Sequence, residues 1–117
     1  MECKFRKMKK TLLIQVSGEL DHHTAKTLRE RADFTLDRVG GKHIIFDFEE
    51  VSFMDSSGIG VMIGRYKRVQ SLGGRVAIAC ANEKIREIIR LSGLESLLPS
   101  FSSMEEAWQY TEGRGNG

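Results

Sequence analysis

The sequence has little cysteine and almost no proline: Cys3, Cys80 and Pro99 are its whole complement in 117 residues. Two cysteines without a Cys-x-x-Cys pair argue against a disulfide scaffold or a zinc module, and they suit a reducing cytoplasm. Long apolar runs are missing too. No window approaches the roughly 18 apolar residues of a membrane-spanning helix, and no apolar signal segment opens the chain, so no membrane association is expected. Neither sign of charge prevails, because 18 lysines and arginines face 16 aspartates and glutamates. The net charge of +2 is too small to argue for direct DNA binding. The one local excess, Lys4, Arg6, Lys7, Lys9 and Lys10, alternates with Cys3, Phe5 and Met8 and reads as the solvent face of an edge strand.

What is present is an ordinary globular mixture, 40% hydrophobic and 29% charged, which argues against disorder. One core suits this length, so a single domain over residues 1–112 is expected, with 113–117 a frayed tail. Cys3 to Met8 alternates, Lys9-Lys10 can turn, and Thr11 to Val16 is a β-branched and leucine run; together they predict an opening β-hairpin. Ala25, Leu28, Ala32, Leu36 and Val39 recur at helical spacing and predict an amphipathic helix closed by Gly40-Gly41. His43 to Phe48 predicts a buried central strand, with a turn at Glu49-Glu50. A second helix from Ser57 carries the stripe Ile59, Met62, Ile63, Tyr66 and Val69, and Gly73-Gly74 ends it before a strand over Arg75 to Ala79. That unit implies a parallel pair with a right-handed strand-helix-strand crossover. Asn82 caps a third helix that buries Ile85, Ile88 and Ile89 and stops at Gly93. A fourth begins at Ser102 or Ser103, where Ser102 and Glu105 have capping-box spacing, and turns Met104, Ala107, Trp108 and Thr111 to the sheet. The expected fold class is α/β, a mixed sheet of roughly four to five strands with about four helices.

Between the His43 strand and the second helix runs Val51-Ser52-Phe53-Met54-Asp55-Ser56-Ser57-Gly58, where apolar residues give way to small polar ones at a helix start. Hydroxyls there stand near backbone N–H groups that lack helical partners and near the positive end of the helix dipole, so a phosphate on Ser57 could be held without burial. Helix capping by Asp55, Ser56 or Ser57 explains the same residues without any function. Gly58, Gly60 and Gly64 strip side chains from the first turns, and Val61 lies off the core stripe. The resulting smooth face suits a protein partner, although the glycines could equally permit close packing on the sheet.

Phe53-Met54-Asp55-Ser56-Ser57-Gly58-Ile59-Gly60 resembles the signature of the STAS family, the domain shared by anti-sigma-factor antagonists and sulfate-transporter tails. The likeness spans nearly the whole chain. Gly18-Glu19-Leu20-Asp21-His22-His23-Thr24-Ala25 and Gly64-Arg65-Tyr66-Lys67 resemble, more narrowly, the sporulation branch that antagonises the anti-sigma F factor. The resemblance implies that Ser57, directly before the glycine, is phosphorylated by an anti-sigma factor that is also an ATP-dependent serine kinase. It further implies that the unphosphorylated chain binds that kinase, with its ATP or ADP, and frees the sigma factor. The phosphorylated chain would let go, and a serine phosphatase would reset it. Asp21, Asp55, Ser56, Ser57, Gly58, Gly60 and Val61 are the expected partner-binding residues, with helix capping the competing role for Asp21.

Other chemistry finds less support. His22 and His23 are adjacent and project in different directions, which makes a poor metal pair. The residue two before Ser57 is Asp55, so there is no Gly-x-Ser-x-Gly nucleophile elbow. The glycines around Ile59 do not form a G-x-G-x-x-G loop and no Gly-Lys-Ser/Thr run occurs, which leaves nucleotide binding or weak NTP hydrolysis as the alternative reading. Cys80 reads as a small core residue between alanines. No metal or cofactor is expected, and no catalytic residue is assigned.

Overall fold

The computed structural model describes residues 1–113. In chain order these form β1 (Glu2–Met8), β2 (Thr11–Leu20), α1 (His22–Val39), β3 (His43–Met54), α2 (Ser56–Ser71), β4 (Val76–Ala79), α3 (Glu83–Ser92), a 3-10 turn (Leu94–Ser96), β5 (Ser100–Phe101) and α4 (Met104–Thr111). The strands make one five-stranded sheet in the order β1-β2-β3-β4-β5. Only the β1–β2 hairpin is antiparallel; β2–β3, β3–β4 and β4–β5 are parallel, so the sheet is mixed and β3 is its centre.

Strand alternation decides which helix covers which face. Leu12, Ile14, Val16, Ile44, Phe46, Phe48 and Ile78 point to one side and pack with Ala25, Leu28 and Leu36 of α1, Met62 and Val69 of α2, and Ile85 and Ile89 of α3. The intervening Leu13, Ile45, Ala77 and Ala79 point to the other side, where Ala107 of α4 meets them. Burying such a side chain completely contributes about 1.5–3 kcal/mol. The three-helix face therefore dominates stability. Thr11 and the backbone of Lys10 both donate to the Glu112 carboxylate at 2.7 Å, which ties the end of α4 to the β1–β2 turn. Residues 114–117, and with them most of the expected tail, lie outside the described residues.

Three expectations need correction. β3 does not turn at Glu49-Glu50 but continues to Met54, pairing with Ser17 to Leu20 of a longer β2. Register shifts between Gln15 and Ser17 and between Gly18 and Glu19 absorb the mismatch, with Gly18 at φ +89. Such a bulge lets two consecutive glutamates face solvent within one strand, which sequence alternation reads as a turn. The buried stripe of α2 is also rotated: Gly58, Val61, Met62, Arg65 and Val69 are buried, while Ile59, Ile63 and Tyr66 are half-buried against the core. Val61 is therefore not off the core stripe, since α2 packs against α1 as well as the sheet. Last, Ser103 rather than Ser102 caps α4, accepting from the Glu106 N–H at 3.2 Å.

Candidate functional site

The parallel register sets Leu20, the last residue of β2, beside Met54, the last residue of β3. The chain leaves each strand through one aspartate and enters a helix, so α1 and α2 begin side by side at the carboxyl end of the sheet, where parallel α/β sheets place their sites. Asp21 caps α1. Its carboxylate accepts from the N–H groups of His23 and Thr24, both at 3.0 Å, and Thr24 returns the bond by accepting from the Asp21 N–H at 2.8 Å. These bonds, led by the one from Thr24, hold the Asp21 carboxyl below its ordinary pKa. Asp55 caps α2 and accepts from the Ser57 N–H at 2.8 Å.

Gly58 lets these two strand ends and α2 close up. A Cβ there would lie 2.8 Å from Met54 Cγ and 3.0 Å from Leu20 Cδ2, distances that real Cβ atoms avoid. Gly58 is buried, so of the two roles open to it from sequence the structure supports close packing on the sheet and not an exposed smooth face. Gly60 and Gly64 differ, because a Cβ at either would meet nothing within 4 Å. They form one wall of a groove of about 550 Å³ between α1 and α2. Ser57 stands on the same wall, and His22, His23, Lys26 and Arg29 line the other. Val61 and Arg65 also line it, though both are almost wholly buried.

Of the residues predicted from sequence, Ser57, Gly60 and Val61 share this groove; Asp21 and Asp55 cap the helices that form it; Ser56 is exposed beside Asp55. The expected cradle of free N–H groups is not there for a phosphate. Of the first four N–H groups of α2, Ser57 donates to the Asp55 carboxylate, and Gly58 and Ile59 donate to the Asp55 carbonyl at 3.0 and 3.4 Å.

Sequence reading missed the basic wall and its support. Arg65 Nε lies 3.0 Å from Asp33 Oδ1 of α1, and Arg68 pairs with Asp33 and Asp37. Burial lowers the pKa of Arg65, an effect that Asp33 offsets and Arg29 and Arg68 reinforce. The signal was present in the helix period: His22, Lys26 and Arg29 recur at steps of four and three, as do Ser57, Gly60 and Gly64. Elsewhere, desolvation raises the Cys80 thiol pKa, which makes it a poor nucleophile. Among the described residues no group of three or more His, Cys, Asp or Glu could hold a metal ion, and no helix is long and apolar enough to cross a membrane.

Comparison with known proteins gives one answer. The family model described as the STAS domain matches residues 4–107. The anti-sigma F factor antagonist of Paenibacillus polymyxa is 37% identical over 92 residues, which is 79% of either chain. Among solved structures, the anti-sigma factor antagonist SpoIIAA in its unphosphorylated form matches with a TM-score of 0.79 at 29% identity, covering 93% of this chain and 95% of that one. The phosphorylated form of SpoIIAA, a Bacillus cell fate determinant, matches with a TM-score of 0.71 at 29% identity, covering 93% and 98%.

Proposed function

The chain belongs to the STAS domain family, and from that premise we propose that it is an anti-sigma factor antagonist switched by phosphorylation of Ser57. In the unphosphorylated state it binds an anti-sigma factor that is also a serine kinase, in the cytoplasm, and the sigma factor is released. The kinase transfers the γ-phosphoryl group of ATP to Ser57 Oγ; a P–O bond forms, the hydroxyl proton is lost and ADP leaves. The modified chain then dissociates until a serine phosphatase restores the hydroxyl. The chain is substrate and switch in this cycle, not an enzyme.

The observation that carries the reading is the position of Ser57. It sits half-buried in the first turn of α2, beside the groove and next to the Asp55 carboxylate that caps the helix. The similar SpoIIAA is known in both covalent states. A phosphate adds roughly −1.5 to −2 charge at neutral pH, so a partner seated over this turn meets repulsion, bulk and desolvation cost together. Each 1.4 kcal/mol of that cost is about tenfold in affinity, and a few kcal/mol open the complex.

Intact-mass and peptide mass spectrometry after incubation with the anti-sigma kinase and ATP tests the reading. One phosphate on Ser57, absent from Ser57→Ala, is the expected result. Ser57→Asp should bind the kinase more weakly than wild type, and Ser57→Ala should bind it normally. A folded chain that takes no phosphate from a kinase active on a control substrate refutes the proposal. A nucleotide titration of the chain alone then decides for or against the nucleotide-binding alternative.

A further inference from the structure

We infer that the groove between α1 and α2 is an intramolecular phosphate clamp, in which Lys26 and Arg29 of α1, backed by Arg65, hold the phosphoryl group of phosphorylated Ser57. The inference rests on Ser57 as the modified residue and adds a site for its phosphate within the same chain. The helix end cannot supply that site, since three of the first four N–H groups of α2 are engaged by Asp55. The Asp55 carboxylate also repels an anion from that side. Among the described residues, the lining across the groove from Ser57 is basic, with His22, His23, Lys26 and Arg29 and no carboxylate.

Arg65 is the second observation. Its side chain is only 9% exposed, it lines the groove, and its Nε faces Asp33 Oδ1 at 3.0 Å but out of line, so both buried atoms lack a hydrogen bond. Burial makes its charge costly; Asp33 offsets part of that cost, and the neighbouring Arg29 and Arg68 add to it. An anion in the groove would relieve that cost. Gly60 and Gly64 keep the space open for a group the size of a phosphate. Coulombic attraction on one side and repulsion on the other turn the phosphoryl group from Asp55 toward α1. The groove is then occupied from within in the phosphorylated state and vacant in the other.

The test is the 31P NMR titration of a chain carrying phosphoserine installed at position 57 during synthesis, which makes it independent of any kinase. The second pKa of free phosphoserine is about 6, and a clamp should place it lower, because nearby cations favour the dianion. Lys26→Gln combined with Arg29→Gln, both exposed positions, should raise it by about half a unit or more. Lys84→Gln on α3, also exposed, should leave it unmoved. The same double variant should be dephosphorylated several-fold faster by a serine phosphatase. A phosphoserine pKa at the ordinary value, unchanged in the double variant, overturns the clamp while the kinase-switch reading stands. Failure of the kinase to modify Ser57, with the shift present in the synthetic phosphoprotein, overturns that reading and leaves the clamp.

Discussion

Three glycines in the first turns of α2 should respond in opposite ways to the same substitution. At Gly60 an added methyl meets nothing within 4 Å, and the residue lies inside a helix of 16 residues. Alanine there recovers most of the roughly 0.8–1 kcal/mol by which glycine disfavours a helix interior. For a domain of this size that raises Tm by about 2–5 °C, and Gly64→Ala should behave alike. At Gly58 the methyl would stand 2.8 Å from Met54 Cγ and 3.0 Å from Leu20 Cδ2. Both neighbours are core side chains, 2% and 0% exposed, with little room to yield. Overpacking of this kind costs about 1–3 kcal/mol, and the helix-propensity gain in a first turn is too small to offset it. Gly58→Ala should therefore lose about 1–2 kcal/mol and lower Tm by roughly 4–8 °C. Thermal unfolding followed by circular dichroism, with urea midpoints as a check, reads both signs. Equal stability of Gly58→Ala and Gly60→Ala would refute the packing argument, and a destabilised Gly60→Ala would refute the open groove. Kinase affinity adds a second axis, because Gly60→Ala narrows the groove wall and should bind more weakly while being more stable.

Two further outcomes are expected. Asp21→Lys removes the α1 cap, which lowers Tm by no more than roughly 5 °C, yet it should weaken kinase binding at least about tenfold; a folded variant with normal binding would make Asp21 a cap alone. His43 is buried, with Nδ1 accepting the Arg75 N–H at 2.9 Å, and burial lowers its pKa from the ordinary 6.5. Its contribution is complete above pH 6.5 and declines as pH falls from there toward the folded-state value, because the unfolded chain takes up the proton first; His43→Asn, which keeps an acceptor, should flatten Tm against pH in that window.

Helix ends were legible because their determinants are local. Gly40 and Gly93 adopt left-handed backbone at φ +72 and +79, and Asn82 accepts from Ile85 N–H at 2.9 Å, as their residue types implied. β2 and β3 followed from apolar, β-branched runs and β1 from alternation, for the same reason, whereas the two-residue β5 was not predicted. What could not be read was non-local. β3 runs on past Glu49-Glu50 by carrying one extra residue against β2 at each of two register shifts, and the juxtaposition of Leu20 with Met54 is a pairing between residues 34 apart, made by register and not by either segment. The burial of Arg65 could not be read from its own helix because its partner, Asp33, lies on another one. The basic wall was half legible, since His22, Lys26 and Arg29 share a helical face, but nothing local aims that face at Ser57.

The division of labour between Asp55 and Ser57 would make the proposed switch compatible with a stable fold. Had the Ser57 hydroxyl capped α2, each phosphorylation would remove a cap worth about 1 kcal/mol and loosen the helix it controls. Asp55 does the capping through its side chain, and the Ser57 contribution to that bond is its backbone N–H. Modification of the hydroxyl leaves that bond in place. Gly58 completes the arrangement by letting α2 start hard against the ends of β2 and β3, which fixes where the hydroxyl stands without using it as a structural group. The charge can then change while the scaffold does not, so a loss of binding on phosphorylation reports electrostatics and shape at the groove and not unfolding of α2.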